Sequence, residues 1–239
     1  MMKEKDLRCS KAILSNILTY VGFLIIALVG IYYGRSIQGI YPEIRLWTLE
    51  NVVTLCLAFP FLFIFGRARI PDFFDKSVSM AQRWYLPLAL GAVFGILDVL
   101  VIKVCMHPEP YVELPPFLQP FPYSLFLYFS GAFEVEVFYR LIPMTLILWL
   151  GANYKEGLYF HRFFWVGAML TALREPLEQW PAGETWYITY AFCSGFLMNL
   201  LQAVFFKKYG FLASLILRLG HYLVWHILLG VYVQFVELL

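Results

Sequence analysis

Ionisable side chains interrupt the most apolar stretches of this chain, where charges are costly. One apolar stretch contains Glu134, Glu136 and Arg140, and another contains His221 and His226. A carboxylate in an apolar cavity can serve as a general base, because desolvation brings its pKa toward neutrality. A histidine can stabilise a developing oxyanion or bind a metal together with a carboxylate. We therefore interpret these five residues as candidate catalytic groups for acid–base chemistry such as hydrolysis.

Four further charged residues lie inside apolar stretches: Asp98, Arg174, Glu175 and Arg218. A charge at the centre of a bilayer costs at least about 2.5–3.5 kcal/mol, so we expect these side chains to face the interior and to pair. We interpret Arg174, Glu175 and Arg218 as candidate substrate-binding residues and Asp98 as one member of an internal pair. The alternative is that the buried pairs are purely architectural.

Helix geometry separates the roles of the two glutamates. Glu136 and Arg140 are four residues apart on one helical face, in the favourable order for an ion pair, so Glu136 should be a poor base and a good anchor. Glu134 lies about 200° around the helix from Glu136 and is the better candidate base. Pro143 removes a backbone hydrogen bond and can distort the helix near both residues.

The two histidines leave the question of a metal open. They lie about 140° apart on a straight helix, which would not present both to one ion. Two carboxylates and two histidines are sufficient in number for zinc, but the sequence contains no His-x-x-x-His pair. A divalent metal such as zinc and a site without any cofactor are both compatible with the pattern.

The composition identifies the environment of these groups. Only 14% of the 239 residues are charged and 61% are hydrophobic, whereas soluble domains are about one quarter charged. This balance excludes a soluble enzyme and a disordered tail. The net charge of +2 gives no reason to expect a nucleic-acid partner. The chain is therefore predicted to be an integral membrane protein with lipids as its neighbours.

Seven apolar stretches are long enough to be membrane helices. They cover approximately residues 12–33, 47–66, 84–104, 122–150, 162–178, 187–206 and 211–236. Six prolines between residues 106 and 122 exclude a helix there. Within the third stretch, Gly91 and Gly95 permit close helix packing. We predict an all-α polytopic bundle of about seven transmembrane helices, forming one domain over residues 1–239.

Basic residues are distributed unevenly over the predicted connections. Twelve Lys and Arg residues lie in the N-terminal segment and in every second loop, against three in the other loops. The N-terminal group consists of Lys3, Lys5, Arg8 and Lys11. Because cytoplasmic loops are enriched in Lys and Arg, this bias predicts a cytoplasmic N-terminus and, with seven spans, a C-terminus outside.

The motif around Glu136 and Arg140, together with Phe192-x-x-Gly195 and the final helix from Tyr209-Gly210 to His221, resembles the CPBP family of intramembrane endopeptidases (CAAX protease and bacteriocin-processing, or Abi). The resemblance covers about residues 122–236, which would form the CPBP-like core helices. It implies hydrolysis of a membrane-anchored or lipidated peptide by a glutamate-activated water, and it extends to a metallopeptidase mechanism.

This sequence departs from the family pattern at three motifs. The family has Glu-Glu-x-x-x-Arg, and aligning on Arg140 places Val135 at the first glutamate. The histidine of the second motif is missing between residues 170 and 175, and Trp225 stands where the third motif has asparagine. Three functions therefore remain: an endopeptidase, a catalytically silent relative that binds a partner or substrate, and a small transporter component with an ion path through the buried charges.

Overall fold

The computed structural model describes residues 2–239, with side chains from residue 10 onward. Regular structure in this part of the chain is entirely helical, which confirms the predicted all-α class. Its helices are α1 (Met2–Ile37), α2 (Leu49–Leu62), α3 (Ala81–Met106), α4 (Tyr123–Gly157), α5 (Phe160–Glu178), α6 (Thr185–Tyr209) and α7 (Phe211–Glu237). The side chains of Lys3, Lys5 and Arg8, on which the charge bias partly depends, lie outside the described residues.

Five of these helices are long and apolar enough to cross a membrane: α1 from Ser10, α3, α4, α6 and α7. Each of the seven predicted stretches corresponds to one helix. The second, α2, is shorter and contains a 3-10 turn at Cys56–Ala58. The fifth, α5, has 19 residues and carries Arg174, Glu175 and Glu178 near its end. The fold is a helical membrane bundle.

The chain divides into two compact units. Unit 1 comprises Met1–Leu18, Ala58–Pro87 and Val135–Leu215, and unit 2 comprises Thr19–Leu57, Leu88–Glu134 and Ile216–Leu239. In unit 1, α5 packs against α6 and against the C-terminal part of α4. Gly167 of α5 permits the second contact, since a Cβ there would lie 3.1 Å from the Ile147 side chain.

The loop between α2 and α3 is firmly attached within unit 1. Asn16 accepts the backbone N–H of Phe73 at 2.9 Å and donates to the Asp72 carboxylate at 2.7 Å. The Phe73 ring stacks on Phe211 with 5.3 Å between centroids. Gly210 has φ +85° and lies so close to the loop that a Cβ would be 2.7 Å from the Pro71 carbonyl oxygen. This corner requires glycine for both conformation and space.

In unit 2, α3 and α7 pack backbone to backbone through small residues. A Cβ on Gly91 would lie 1.9 Å from the carbonyl oxygen of Leu217, and one on Gly220 would lie 2.4 Å from that of Leu88. A Cβ on Gly95 would lie 2.8 Å from the carbonyl oxygen of His221. The packing role expected for Gly91 and Gly95 is therefore confirmed.

The proline-rich segment between α3 and α4 packs against α7 in unit 2. Phe117 stacks on Trp225 with 4.9 Å between ring centroids, and Leu118 is buried beside them. At the end of α7, Glu237 pairs with Lys103 at 2.9 Å and accepts the backbone N–H of Tyr111 at 2.8 Å. The absence of a helix over 107–122 agrees with the proline pattern.

Candidate functional site

A π-helical turn interrupts α4 directly after the two glutamates. The backbone is α-helical to Glu136, π-helical over Val137–Leu141 and α-helical again from Ile142. Pro143 follows this turn and has no N–H to donate to the carbonyl of Tyr139, four residues earlier. This missing hydrogen bond accounts for the irregular backbone. The distortion expected from Pro143 is thus present, but it begins after Glu136. Glu134 and Glu136 remain on regular helix, about 200° apart.

Glu136 and Arg140 are fully buried in a polar network inside unit 1. The Glu136 carboxylate accepts hydrogen bonds from Gln202 Nε2 at 2.7 Å and from the Ser214 hydroxyl. Arg140 donates to Gln202 Oε1 at 2.9 Å and to the Asn199 carbonyl oxygen at 3.1 Å, and also to the Asn199 side chain. Gln202 therefore bridges the carboxylate and the guanidinium, and the network has the character of a structural anchor.

Sequence reasoning missed the three polar partners in this network. Asn199 and Gln202 are three residues apart in the apolar helix α6, so they occupy one face. Ser214 lies near the start of α7. The spacing of two amide side chains within a membrane-spanning helix was the available signal, because such groups turn inward and form hydrogen bonds between helices.

Glu134 has different surroundings and belongs to unit 2. Its carboxylate is partly buried and accepts one hydrogen bond, at 3.3 Å, from Asn51 Nδ2. Asn51 also accepts the backbone N–H of Thr48 at 3.0 Å and thereby caps the start of α2. Glu134 is thus less constrained by hydrogen bonds from the described residues than Glu136; that it is the better base stays a prediction.

Asp98 and His221 form the best-defined acid–base pair of unit 2. His221 Nε2 lies 2.6 Å from Asp98 Oδ2, and the two side chains are 10% and 20% exposed. The pair joins α3 and α7 where their glycines allow contact, since Gly91, Gly95 and Asp98 follow one helical face. His221 Nδ1 is buried and has no hydrogen-bond partner among residues 10–239. A carboxylate that holds the Nε2 proton leaves the Nδ1 lone pair as the basic group.

His226 lies near His221 because α7 is not a straight helix. A π-helical turn over Leu223–Leu228 brings residues five apart toward one face, and the two imidazole centroids are 6.4 Å apart. The His226 ring stacks on Tyr128 at 4.2 Å, and Nδ1 donates to the Phe117 carbonyl oxygen at 2.8 Å. The 140° separation expected for a straight helix does not apply here.

The histidines resemble metal ligands in one respect only. Each has one ring nitrogen engaged by an oxygen, the arrangement that orients ligating histidines. A catalytic zinc site normally has three protein ligands. Within the part of the chain described, no three His, Cys, Asp or Glu side chains are grouped closely enough to hold a metal ion. The donor set is therefore incomplete, and we assign no catalytic step to a metal.

The three candidate substrate-binding residues have unlike environments. Arg174 is 47% exposed on the side of α5, pairs with Glu178 at 2.7 Å and lies over the Tyr139 ring, so it does not face the interior as expected. Glu175 is buried beside Gln179, which donates to it at 3.4 Å. Arg218 is fully buried in unit 2.

The eight candidate residues are divided between the units. Glu136, Arg140, Arg174 and Glu175 belong to unit 1, whereas Glu134, Arg218, His221 and His226 belong to unit 2. No family model matches the chain, and neither a curated protein nor a solved structure matches it. The functional argument therefore depends on the geometry of the side chains, in particular on Asp98 and His221.

Proposed function

We propose that this protein is an intramembrane endopeptidase-like hydrolase of the CPBP type, acting on a membrane-anchored or lipidated peptide. His221, oriented by Asp98, takes a proton from the attacking water. The observation that carries the proposal is the 2.6 Å contact between Asp98 and His221 within apolar helices, with His221 Nδ1 buried.

The chemistry of this pair suits peptide hydrolysis. A carboxylate bonded to one nitrogen of imidazole fixes the tautomer and stabilises the imidazolium formed when the other nitrogen takes a proton. The proton can then pass to the amine that leaves when the peptide bond breaks. Water loses this proton at His221 Nδ1 as its oxygen attacks the carbonyl carbon, so the pair serves first as base and then as acid.

The glutamates have separate roles in this proposal. Glu136 anchors α4 through Gln202 and Ser214 and does not contact substrate. Glu134 shares unit 2 with Asp98 and His221 and accepts a single described hydrogen bond, so its carboxylate is the one available to support the reaction. The family motif has two adjacent glutamates, but Val135 occupies the first of these positions here. In this proposal Glu134 takes the place of that missing glutamate.

The test is turnover of a farnesylated, internally quenched peptide by the full-length protein in liposomes. We expect His221→Gln to lower kcat by at least about 100-fold, in the range of losses seen when a general base is removed. Glu134→Gln should also lower kcat, because it removes the supporting carboxylate. Asp98→Asn should lower kcat by a comparable factor, because a neutral amide neither fixes the tautomer of the ring nor stabilises the imidazolium. His161→Gln, at an exposed histidine of α5, is the matched control and should retain full activity.

Equal turnover by the wild type and by His221→Gln would overturn the hydrolase proposal. A second candidate, a catalytically silent protein that binds such peptides, is favoured by one observation: the Glu136 and Arg140 motif is engaged by amide and hydroxyl groups. Peptide binding by the wild type, without turnover above the His221→Gln background, would support that candidate.

A further inference from the structure

A basic cleft opens on unit 1, and the acid–base pair of unit 2 is not part of it. Its volume is about 540 Å³, and its charged lining consists of Arg69, Lys207, Lys208 and Asp75. Phe160 contributes an apolar wall. Lys207 and Lys208 occupy the last turn of α6, an apolar helix long enough to cross a membrane. The cleft is therefore at the end of a span, where lipid headgroups meet the protein.

Arg69 is held at the cleft by its backbone and by its neighbours. It has φ +56°, an uncommon conformation for a residue other than glycine, and its guanidinium lies 5.0 Å from the centroid of the Phe160 ring. The same guanidinium covers Gly157, where a Cβ would lie 2.6 Å from Arg69 Nη2. The loop that carries Arg69 is attached through Pro71 to Gly210. The Arg69 guanidinium is thus held in place by its contacts with Phe160 and Gly157.

The positive charges of the cleft are not balanced by carboxylates among the described side chains. Across the described side chains, no carboxylate lies within 4.0 Å of a nitrogen of Arg69, Lys207 or Lys208. The one acid of the cleft, Asp75, accepts hydrogen bonds from the backbone and the hydroxyl of Ser77, at 2.8 and 2.7 Å. Three cations against one carboxylate leave an excess of two positive charges in one concavity.

We propose that this cleft binds a phosphate group, in the first place the phosphate of an anionic lipid headgroup. A guanidinium and two ammonium groups supply charge-assisted donors for phosphate oxygens, and basic pockets at the ends of membrane helices suit acidic headgroups. Phe160 provides apolar surface for the glycerol and upper acyl region of such a lipid. A free phosphate offers the same oxygens and is the other source of this chemistry.

The test measures equilibrium binding by the full-length protein in a neutral detergent. The probes are short-chain phosphatidic acid, short-chain phosphatidylcholine and inorganic phosphate. Replacing all three cations (Arg69→Gln, Lys207→Gln and Lys208→Gln) should weaken the binding of phosphatidic acid by more than about tenfold. The matched control removes three charges outside the cleft (Arg67→Gln, Lys155→Gln and Arg162→Gln) and should change the affinity by less than about twofold.

Equal losses in the two triple variants, or no loss in either, would overturn the proposal, because the attraction would then be diffuse. Binding of phosphatidylcholine as tight as that of phosphatidic acid would also contradict it. Competition by inorganic phosphate identifies phosphate itself as sufficient, whereas binding of phosphatidic acid alone identifies the lipid. If the triple variant does not elute as folded protein, Lys208→Gln at an exposed side chain should still weaken binding roughly fivefold.

Discussion

At the scale of single residues, the two glutamates of α4 illustrate how a spacing of two places side chains in different environments. Glu136 is fully buried and receives hydrogen bonds from Gln202 and Ser214, whereas Glu134 is partly buried and receives one from Asn51. Removing a buried carboxylate that accepts several hydrogen bonds leaves each of its donors unsatisfied. A carboxylate with one donor has remaining lone pairs for other partners.

This difference predicts unequal effects on stability. Glu136→Leu leaves the Gln202 amide and the Ser214 hydroxyl without their acceptor, and each unsatisfied buried group costs about 1–3 kcal/mol. We therefore expect a clear loss of thermal stability in detergent. Glu134→Leu is the matched substitution and should change the unfolding temperature much less. Equal unfolding temperatures for the two variants would show that the network around Glu136 does not stabilise the fold.

At the scale of helices, small residues decide which side chains can meet. The backbones of α3 and α7 approach at Gly91 and Gly220 more closely than any side chain would allow. This approach brings Asp98 within reach of His221. The π-helical turn of α7 then directs His226 toward His221. The close glycine contact and the π-helical turn are both properties of the backbone, and together they determine which side chains lie near His221.

A glycine substitution tests the contact between these helices. Gly91→Ala places a Cβ 1.9 Å from a backbone oxygen, so α3 and α7 must separate. Overpacking of this kind costs about 1–3 kcal/mol and should also weaken the Asp98–His221 bond. Gly131→Ala in α4 is the control, since no atom lies within 4 Å of the new Cβ and alanine favours helix. We expect lower thermal stability and lower turnover for Gly91→Ala alone, and unchanged values would contradict the packing role.

At the scale of the whole molecule, the charges fall into two populations. Most basic residues occupy loops and helix ends, and a small set lies within apolar helices. The basic residues of the loops are biased toward every second loop, and this bias predicts the orientation of the chain in the membrane. Three members of the same population line the basic cleft, where the proposed phosphate site would use them.

Orientation can be tested with single cysteines in a chain whose four native cysteines are replaced by alanine. The charge bias predicts that a cysteine at Ser77 faces the cytoplasm and one at Val112 faces the opposite side. Both positions are exposed. A membrane-impermeant maleimide added to intact cells should label the cysteine at position 112 and not the one at 77. Labelling of both positions, or of 77 alone, would contradict the predicted topology.

The sequence by itself determined the membrane environment, the helical class and the approximate limits of all seven helices. Apolar length and proline density are local properties, and each acts without reference to the rest of the chain. The sequence also placed Glu134 and Glu136 on different faces of α4, because regular helix geometry relates residues two positions apart. It expected Asp98 to pair, but it did not identify His221 as the partner.

Tertiary structure alone decided the polar partners and the geometry of the histidines. Asn199, Gln202 and Ser214 reach Glu136 and Arg140 only because three helices pack together. The proximity of His221 to His226 depends on a π-helical turn, which has no signature in residue periodicity. Local pattern fixes where a helix lies along the chain, whereas the partner of a buried charge depends on contacts between residues 59 to 123 positions apart.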